Sequence, residues 1–185
     1  CGAAIVPGVA SAQDKTVVVL GTATPGGGFP VYGQAYAETL NATDPTLSIQ
    51  PKNTKGSTDN LPQLEAGQLD LGQVTGEVFH EGLTGLRGAP MRSVRILNAM
   101  YPNSGMFIVR GDTPLRTIAD LKGKTIAWGA KGSGFVVLAR YVVEGLGLDM
   151  EKDFKAVYLD RAGDGPAMVL DGRADAMWGG GVGWP

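Results

Sequence analysis

Three times the sequence runs an apolar strand into a Gly/Ser-rich turn and straight on into a helix, at residues 16–30, 47–60 and 124–136. The turns are residues 21–28, Thr54-Lys55-Gly56-Ser57, and Gly129-Ala130-Lys131-Gly132-Ser133-Gly134. Short apolar runs such as Val17-Val18-Val19-Leu20 are typical of strands buried on both faces of a parallel sheet. A parallel strand needs a crossover, so strand, turn and helix must recur as a right-handed unit. Each helix start leaves several backbone N–H groups without an intrahelical partner, aimed where an anion can sit. This pattern confines the chain to an α/β architecture.

The first half reads β-α-β-α-β-α over residues 16–84. Its strands are expected at 17–20, 47–50 and 69–74, with helices at 31–40, from Ser57 to Gly67, and near 76–83. Pro30 suits a first helical turn, and the Ser57 hydroxyl is expected to cap the second helix. Residues 84–93 read as a linker, and 94–100 and 106–110 as two apolar strands where the chain crosses between lobes. Residues 117–120 resemble a capping box. Strands at 124–128, 154–159 and 175–178 then alternate with helices at 135–144 and 164–170. The domain expectation is an export-signal remnant at 1–12, a first lobe at 13–100 and a second at 101–185. The signal reading rests on an apolar stretch followed by Ala10-Ser11-Ala12, an A-x-A-like cleavage site.

Composition removes several functions. Net charge is −2 with 18% charged residues and no basic stripe, which argues against a nucleic-acid partner. The single Cys, at position 1, and the single His, at position 80, exclude a disulfide framework and a Cys/His zinc site within these residues. No G-x-x-x-x-G-K-[ST] phosphate loop occurs. No cofactor is expected, and no run is apolar enough to insert into a bilayer. The tightest acidic cluster, Asp160 and Asp164 beside Arg161, reads as a strand-end turn and a helix start. The residue inventory therefore suits gripping a small anion better than transforming it.

The order and spacing of motifs are more specific than any one of them. They are Gly21-Thr22, Gly26-Gly27-Gly28, Tyr32-Gly33, Thr54-Lys55-Gly56-Ser57-Thr58-Asp59, Gly67-Gln68-Leu69-Asp70-Leu71-Gly72-Gln73, Asp120-Leu121-Lys122-Gly123-Lys124 and Gly132-Ser133-Gly134. In this series the chain resembles the TAXI family, the substrate-binding subunits of one class of tripartite ATP-independent periplasmic (TRAP) transporters. The resemblance implies a type 2 periplasmic-binding-protein-like fold, two α/β lobes with a cleft, here C-terminally truncated. It implies a periplasmic receptor that passes a small organic anion (glutamate-like, dicarboxylate or oxoacid) to TRAP-type permease subunits. Two departures bear on the ligand: Phe135 stands where a small hydroxylated residue is usual, and Thr75-Gly76-Glu77 where Gln-Ser-Asp is common. An ABC-type importer's binding protein and an enzyme on the same scaffold are the competing readings.

The candidate ligand-binding residues are Thr22, Gly27, Gly28, Tyr32, Ser57, Thr58, Thr75, Tyr101, Gly132, Ser133, Gly134, Phe135 and Trp178. The glycine runs either approach a ligand closely or simply form tight turns. Tyr32, Tyr101 and Trp178 either wall the cleft or fill a core. Lys131 either adds a positive charge or is solvated, Glu77 is a solvated or helix-start charge, and His80 is a surface or core histidine. A helix N-terminus stabilises an anion by only ~0.3–1 kcal/mol, up to ~2 when partly buried. Micromolar binding needs about 8 kcal/mol, so hydroxyl and amide hydrogen bonds in a dehydrated, closed cleft must supply the remainder.

Overall fold

The computed structural model describes residues 14–86 and 88–180. The export-signal expectation at 1–12 and the final residues 181–185 lie outside them. A three-stranded sheet of order β2-β1-β3 is built from β1 (Thr16–Gly21), β2 (Leu47–Lys52) and β3 (Leu71–Gly72), all parallel. Its helices are α1 (Gly28–Thr43), α2 (Ser57–Glu65) and α3 (Gly76–Thr84). A second sheet of order β4-β7-β5-β6 follows, from β4 (Met106–Val109), β5 (Thr125–Ala130), β6 (Lys155–Leu159) and β7 (Ala176–Gly179). Helices α4 (Gly134–Gly145) and α5 (Gly165–Leu170) cross between its parallel strands, while β4 pairs antiparallel with β7. These are two α/β lobes of the periplasmic-binding-protein type.

Each lobe has its own apolar core. Leu20, Ala37 and Ile49 are buried between α1 and the first sheet. In the second lobe Ile126, Trp128, Ala139, Val143, Phe154 and Trp178 pack together, with Phe107 and Phe154 edge-on to Trp128. The register of β5 against β6 skips Trp128, a bulge that keeps this large ring wholly buried.

Three local expectations need correction. Residues 94–100 form no strand; Ile96 and Leu97 are 69% and 71% exposed, because an apolar run without a partner edge has no ladder to join. The third strand shrinks from 69–74 to Leu71–Gly72, since its partner β1 ends at Gly21 and only Leu20 and Gly21 pair with it. Ser57 is the first residue of α2 and does not cap it. Its hydroxyl accepts the backbone N–H of Thr75 at 3.0 Å, while the Asp59 carboxylate accepts that of Lys55.

The capping box forms as read. The Asp120 carboxylate accepts the N–H groups of Arg116 and Thr117, and the Thr117 hydroxyl accepts that of Asp120. The Arg116 bond, then the Thr117 bonds, hold the Asp120 carboxyl below its ordinary range. A depressed folded-state pKa gives stability that is fully present above the unfolded value, about 3.9, and lost as pH falls through the folded one. Asp120→Ala is therefore expected to lower the melting temperature at pH 6, with the gap to wild type closing toward pH 2. A gap independent of pH would remove the charge from the account.

Candidate functional site

In both sheets the parallel strands point their C-terminal ends at the gap between the lobes, which is where α/β sheets collect ligands. Each strand there feeds a helix, so the starts of α1, α2, α3 and α4 converge. Gly27, Gly28, Gly56, Ser57, Thr75, Ser133 and Gly134 all line one small hollow of about 80 Å³. Phe29, Tyr101, Phe135 and Trp178 wall it, together with Trp128, Met177 and Leu159. Among the described residues, no Asp, Glu, Lys, Arg or His side chain contributes to this lining.

The centre of the hollow is where the lobes touch. A Cβ placed on Gly134 would lie 2.2 Å from the Thr75 hydroxyl and 2.6 Å from that of Ser57. The Thr75 Oγ1 atom is buried without a hydrogen-bond partner, whereas the Ser57 oxygen accepts the Thr75 N–H. Ser133 caps α4, its hydroxyl accepting the Phe135 N–H at 3.2 Å. Each hydroxyl retains a proton to donate. The indole N–H of Trp128 is also buried and unpartnered. Trp178 is fixed by its bond to the Phe135 carbonyl at 2.8 Å. Burial and then the neighbouring Tyr32 push the Tyr101 phenol above its usual pKa, so it stays a neutral donor.

Not every candidate residue reaches this hollow. Thr22 is completely buried and lines no part of it; its hydroxyl donates to the Lys52 carbonyl at 3.1 Å. Thr58 and Gly132 meet each other across the cleft, the Thr58 hydroxyl donating to the Gly132 carbonyl at 2.8 Å and the Thr58 N–H at 3.2 Å. Those groups join the lobes and are occupied. Tyr32 stacks between Tyr36 and Tyr101 along the wall of a larger neighbouring hollow of about 670 Å³, which also takes in Gln73 and residues 93–101. Phe29, Thr75, Tyr101, Asn103 and Phe135 border both spaces. Lys131 points elsewhere, its ammonium 5.6 Å from the Tyr158 ring centre. Asp160, Asp164 and His80 are exposed and outside both linings, and Glu77 borders only the larger one.

Sequence reading missed Thr24, Asn60 and Asn103. Thr24 accepts the Ala162 N–H of the other lobe at 3.2 Å, beside a glycine-to-glycine approach of Gly26 and Gly163. Gly26 has φ 85° and Gly56 φ 115°, and at both a Cβ would press into the facing lobe's backbone. Asn60 lies wholly buried behind the hollow, and its amide donates to the carbonyls of Gly21, Thr22 and Gln73. An Asn on a helix face carries no sequence signal that it is inward. Among the described residues no group of three His, Cys, Asp or Glu is placed to hold a metal, and no helix is long and apolar enough to cross a membrane.

Solved structures of the same fold include the alkanesulfonate-binding protein SsuA from Xanthomonas axonopodis pv. citri bound to MOPS. It is 24% identical at a TM-score of 0.56, over 89% of this chain and 54% of that one. The cysteine-binding protein of Campylobacter jejuni superposes with a TM-score of 0.61 at 16% identity, over 89% and 63%. A binding protein component of an ABC phosphonate transporter from Pseudomonas aeruginosa gives 0.60 at 15%, over 91% and 58%. The chain thus spans about half the length of the SsuA protein it resembles. Residues 20–181 match the NMT1-like family along nearly the whole described length, and the chain belongs to that family.

Proposed function

We propose that this chain forms the capturing cleft of an extracytoplasmic solute receptor that binds a small organic anion and delivers it to a membrane importer. The observation that carries this is the convergence of four helix starts, from both lobes, on a hollow lined by no charged side chain among the described residues. Such a place favours negative charge through fixed amide dipoles and hydroxyl donors. Among the described residues the lining offers no carboxylate, imidazole or amine to act as general acid or base, which supports binding over chemistry. Glutamate-like, dicarboxylate and oxoacid ligands, with a TRAP-type permease as partner, follow from the resemblance in the motif series. The ligand groups proposed are the amides at Gly28 and Gly134 and the hydroxyls of Ser57, Thr75 and Tyr101, with Gly27, Ser133 and Phe135 shaping the hollow and Trp178 as a wall.

A second reading is supported by the solved structures of like fold, which include sulfonate- and phosphonate-binding proteins. On that reading the anionic head is a sulfonate or phosphonate and the partner is an ABC-type importer. A thermal-shift panel separates the two, using glutamate, 2-oxoglutarate and succinate against methanesulfonate and methylphosphonate. A ligand at a hundred times its dissociation constant adds ~2.7 kcal/mol to stability. Stabilisation by the carboxylates supports the first reading, and by the sulfonate or phosphonate alone, the second. A flat response to all five sinks the anion receptor.

A further inference from the structure

The start of α2 meets the main chain of the other lobe. A helix leaves its first N–H groups without intrahelical partners. The Gly56 carbonyl accepts two such groups here, from Asp59 at 3.0 Å and Asn60 at 2.9 Å. The Thr58 N–H instead reaches across to the Gly132 carbonyl at 3.2 Å, and the Thr58 hydroxyl donates to the same oxygen at 2.8 Å. Two bare backbones permit that approach. A Cβ on Gly132 would lie 2.6 Å from the Lys55 Cβ and 2.9 Å from the Lys55 carbonyl oxygen, and one on Gly56 would lie 3.0 Å from the Gly132 carbonyl oxygen. Thr58 and Gly132 stay out of the small hollow, yet their chain neighbours Ser57 and Ser133 line it, so this contact sets the spacing across it. The lobes also meet where the Arg140 guanidinium donates to the Glu81 carboxylate at 2.7 Å, but that pair lines neither hollow.

We propose that Thr58 is a positioning residue that sets affinity by clasping the Gly132 carbonyl as the lobes close over the solute. The inference rests on the receptor reading and adds to it a residue that never touches the solute. The partial positive charge of a helix start attracts any negative group, a carbonyl oxygen included. α2 commits its Thr58 amide to the facing lobe, whereas the amides of Gly28 and Gly134 are left for the solute. Thr58 is exposed, so with the lobes apart water satisfies its hydroxyl. Both bonds form only as the lobes meet, and a solute held between Ser57 and Gly134 leaves only after they break. Their loss must therefore appear in escape and not in encounter.

The test is stopped-flow binding read from the fluorescence of Trp128 and Trp178, both in the lining of the hollow. It uses whichever of glutamate, 2-oxoglutarate, succinate, methanesulfonate and methylphosphonate stabilises the wild type most. Thr58→Val keeps the N–H and removes the hydroxyl. It should raise the dissociation rate about three- to tenfold and leave the association rate unchanged. Thr58→Ser retains the donor and should dissociate at the wild-type rate. Gly132→Ala sets a methyl against Lys55 and should speed dissociation about tenfold. Gly132 is absent from the positive-φ glycines, so its own lobe accepts alanine. A wild-type dissociation rate in Thr58→Val, or a Thr58→Ser rate raised as far as that of the valine, overturns the clasp and leaves the anion receptor standing. A wild type that binds none of the five anions removes the receptor, and the clasp with it.

Discussion

Gly134→Ala is expected to weaken binding of the best-stabilising anion by about ten- to a hundredfold while leaving the ligand-free melting temperature within a few degrees of wild type. The added methyl would sit 2.2 Å from the Thr75 hydroxyl and 2.6 Å from that of Ser57, both on the opposite lobe. Overlap of that kind costs ~1–3 kcal/mol in packed structure, and each 1.4 kcal/mol is about tenfold in affinity. The three atoms nearest that methyl all belong to the first lobe. Gly134 opens α4 and is absent from the positive-φ glycines, so alanine fits its backbone and improves helix propensity. The penalty is confined to the closed cleft. Gly145→Ala, at the other end of the same helix with no atom within 4 Å of its Cβ, is the matched control and should bind normally. Calorimetric titration of both proteins decides the matter, and equal affinities would mean that the cleft does not close at Gly134.

The same contrast explains what the sequence could and could not disclose. Elements whose signal is local came through well. The apolar run into Gly21 and the Gly/Ser-rich turn into α4 each act within a few residues, and β1, α4 and β5 stand within two residues of where they were read. Residues 94–100 failed because strand character belongs to a pair of edges, and composition describes only one of them. Ser57 misled for a related reason. A serine before an amphipathic stretch is normally a cap, but here a segment 18 residues away supplies a better donor, the Thr75 amide.

The candidate site divides in the same way. Glycine and hydroxyl residues at helix starts are marked by type and position, and Gly27, Gly28, Ser57, Thr75, Ser133, Gly134 and Phe135 do share one hollow. Thr22, Thr58 and Gly132 carry the same marks yet are spent on other bonds, two of them on each other. Which lobe a group faces depends on tertiary approach across 74 residues of chain in the Thr58–Gly132 case. The Glu81–Arg140 pair, 59 residues apart on two unremarkable amphipathic helices, left no trace at all in local pattern. A cleft between lobes is legible from one side at a time.

Asn60→Asp is expected to produce the largest stability change and to show its cause through pH. The Asn60 amide donates at 2.8 Å to the Thr22 and Gln73 carbonyls and at 3.3 Å to that of Gly21, so one side chain ties together the ends of β1 and β3 beneath the hollow. Gly21 and Thr22 carbonyls keep second partners in the Gln73 N–H and the Thr54 hydroxyl, which limits the loss from an apolar replacement. Asn60→Leu should therefore cost about 2–4 kcal/mol, or ~5–15 °C in melting temperature. An aspartate is worse at neutral pH, because a buried carboxylate would face three carbonyl oxygens with nothing to donate. Its folded-state pKa must rise well above the unfolded value of about 3.9. A raised carboxyl pKa means the folded protein binds more protons, so stability relative to wild type returns as pH falls through the folded value. Between pH 8 and pH 5 the deficit of Asn60→Asp should shrink while that of Asn60→Leu stays constant. Parallel deficits across that range would show that size, and not donation to the three strand-end carbonyls, is what position 60 supplies.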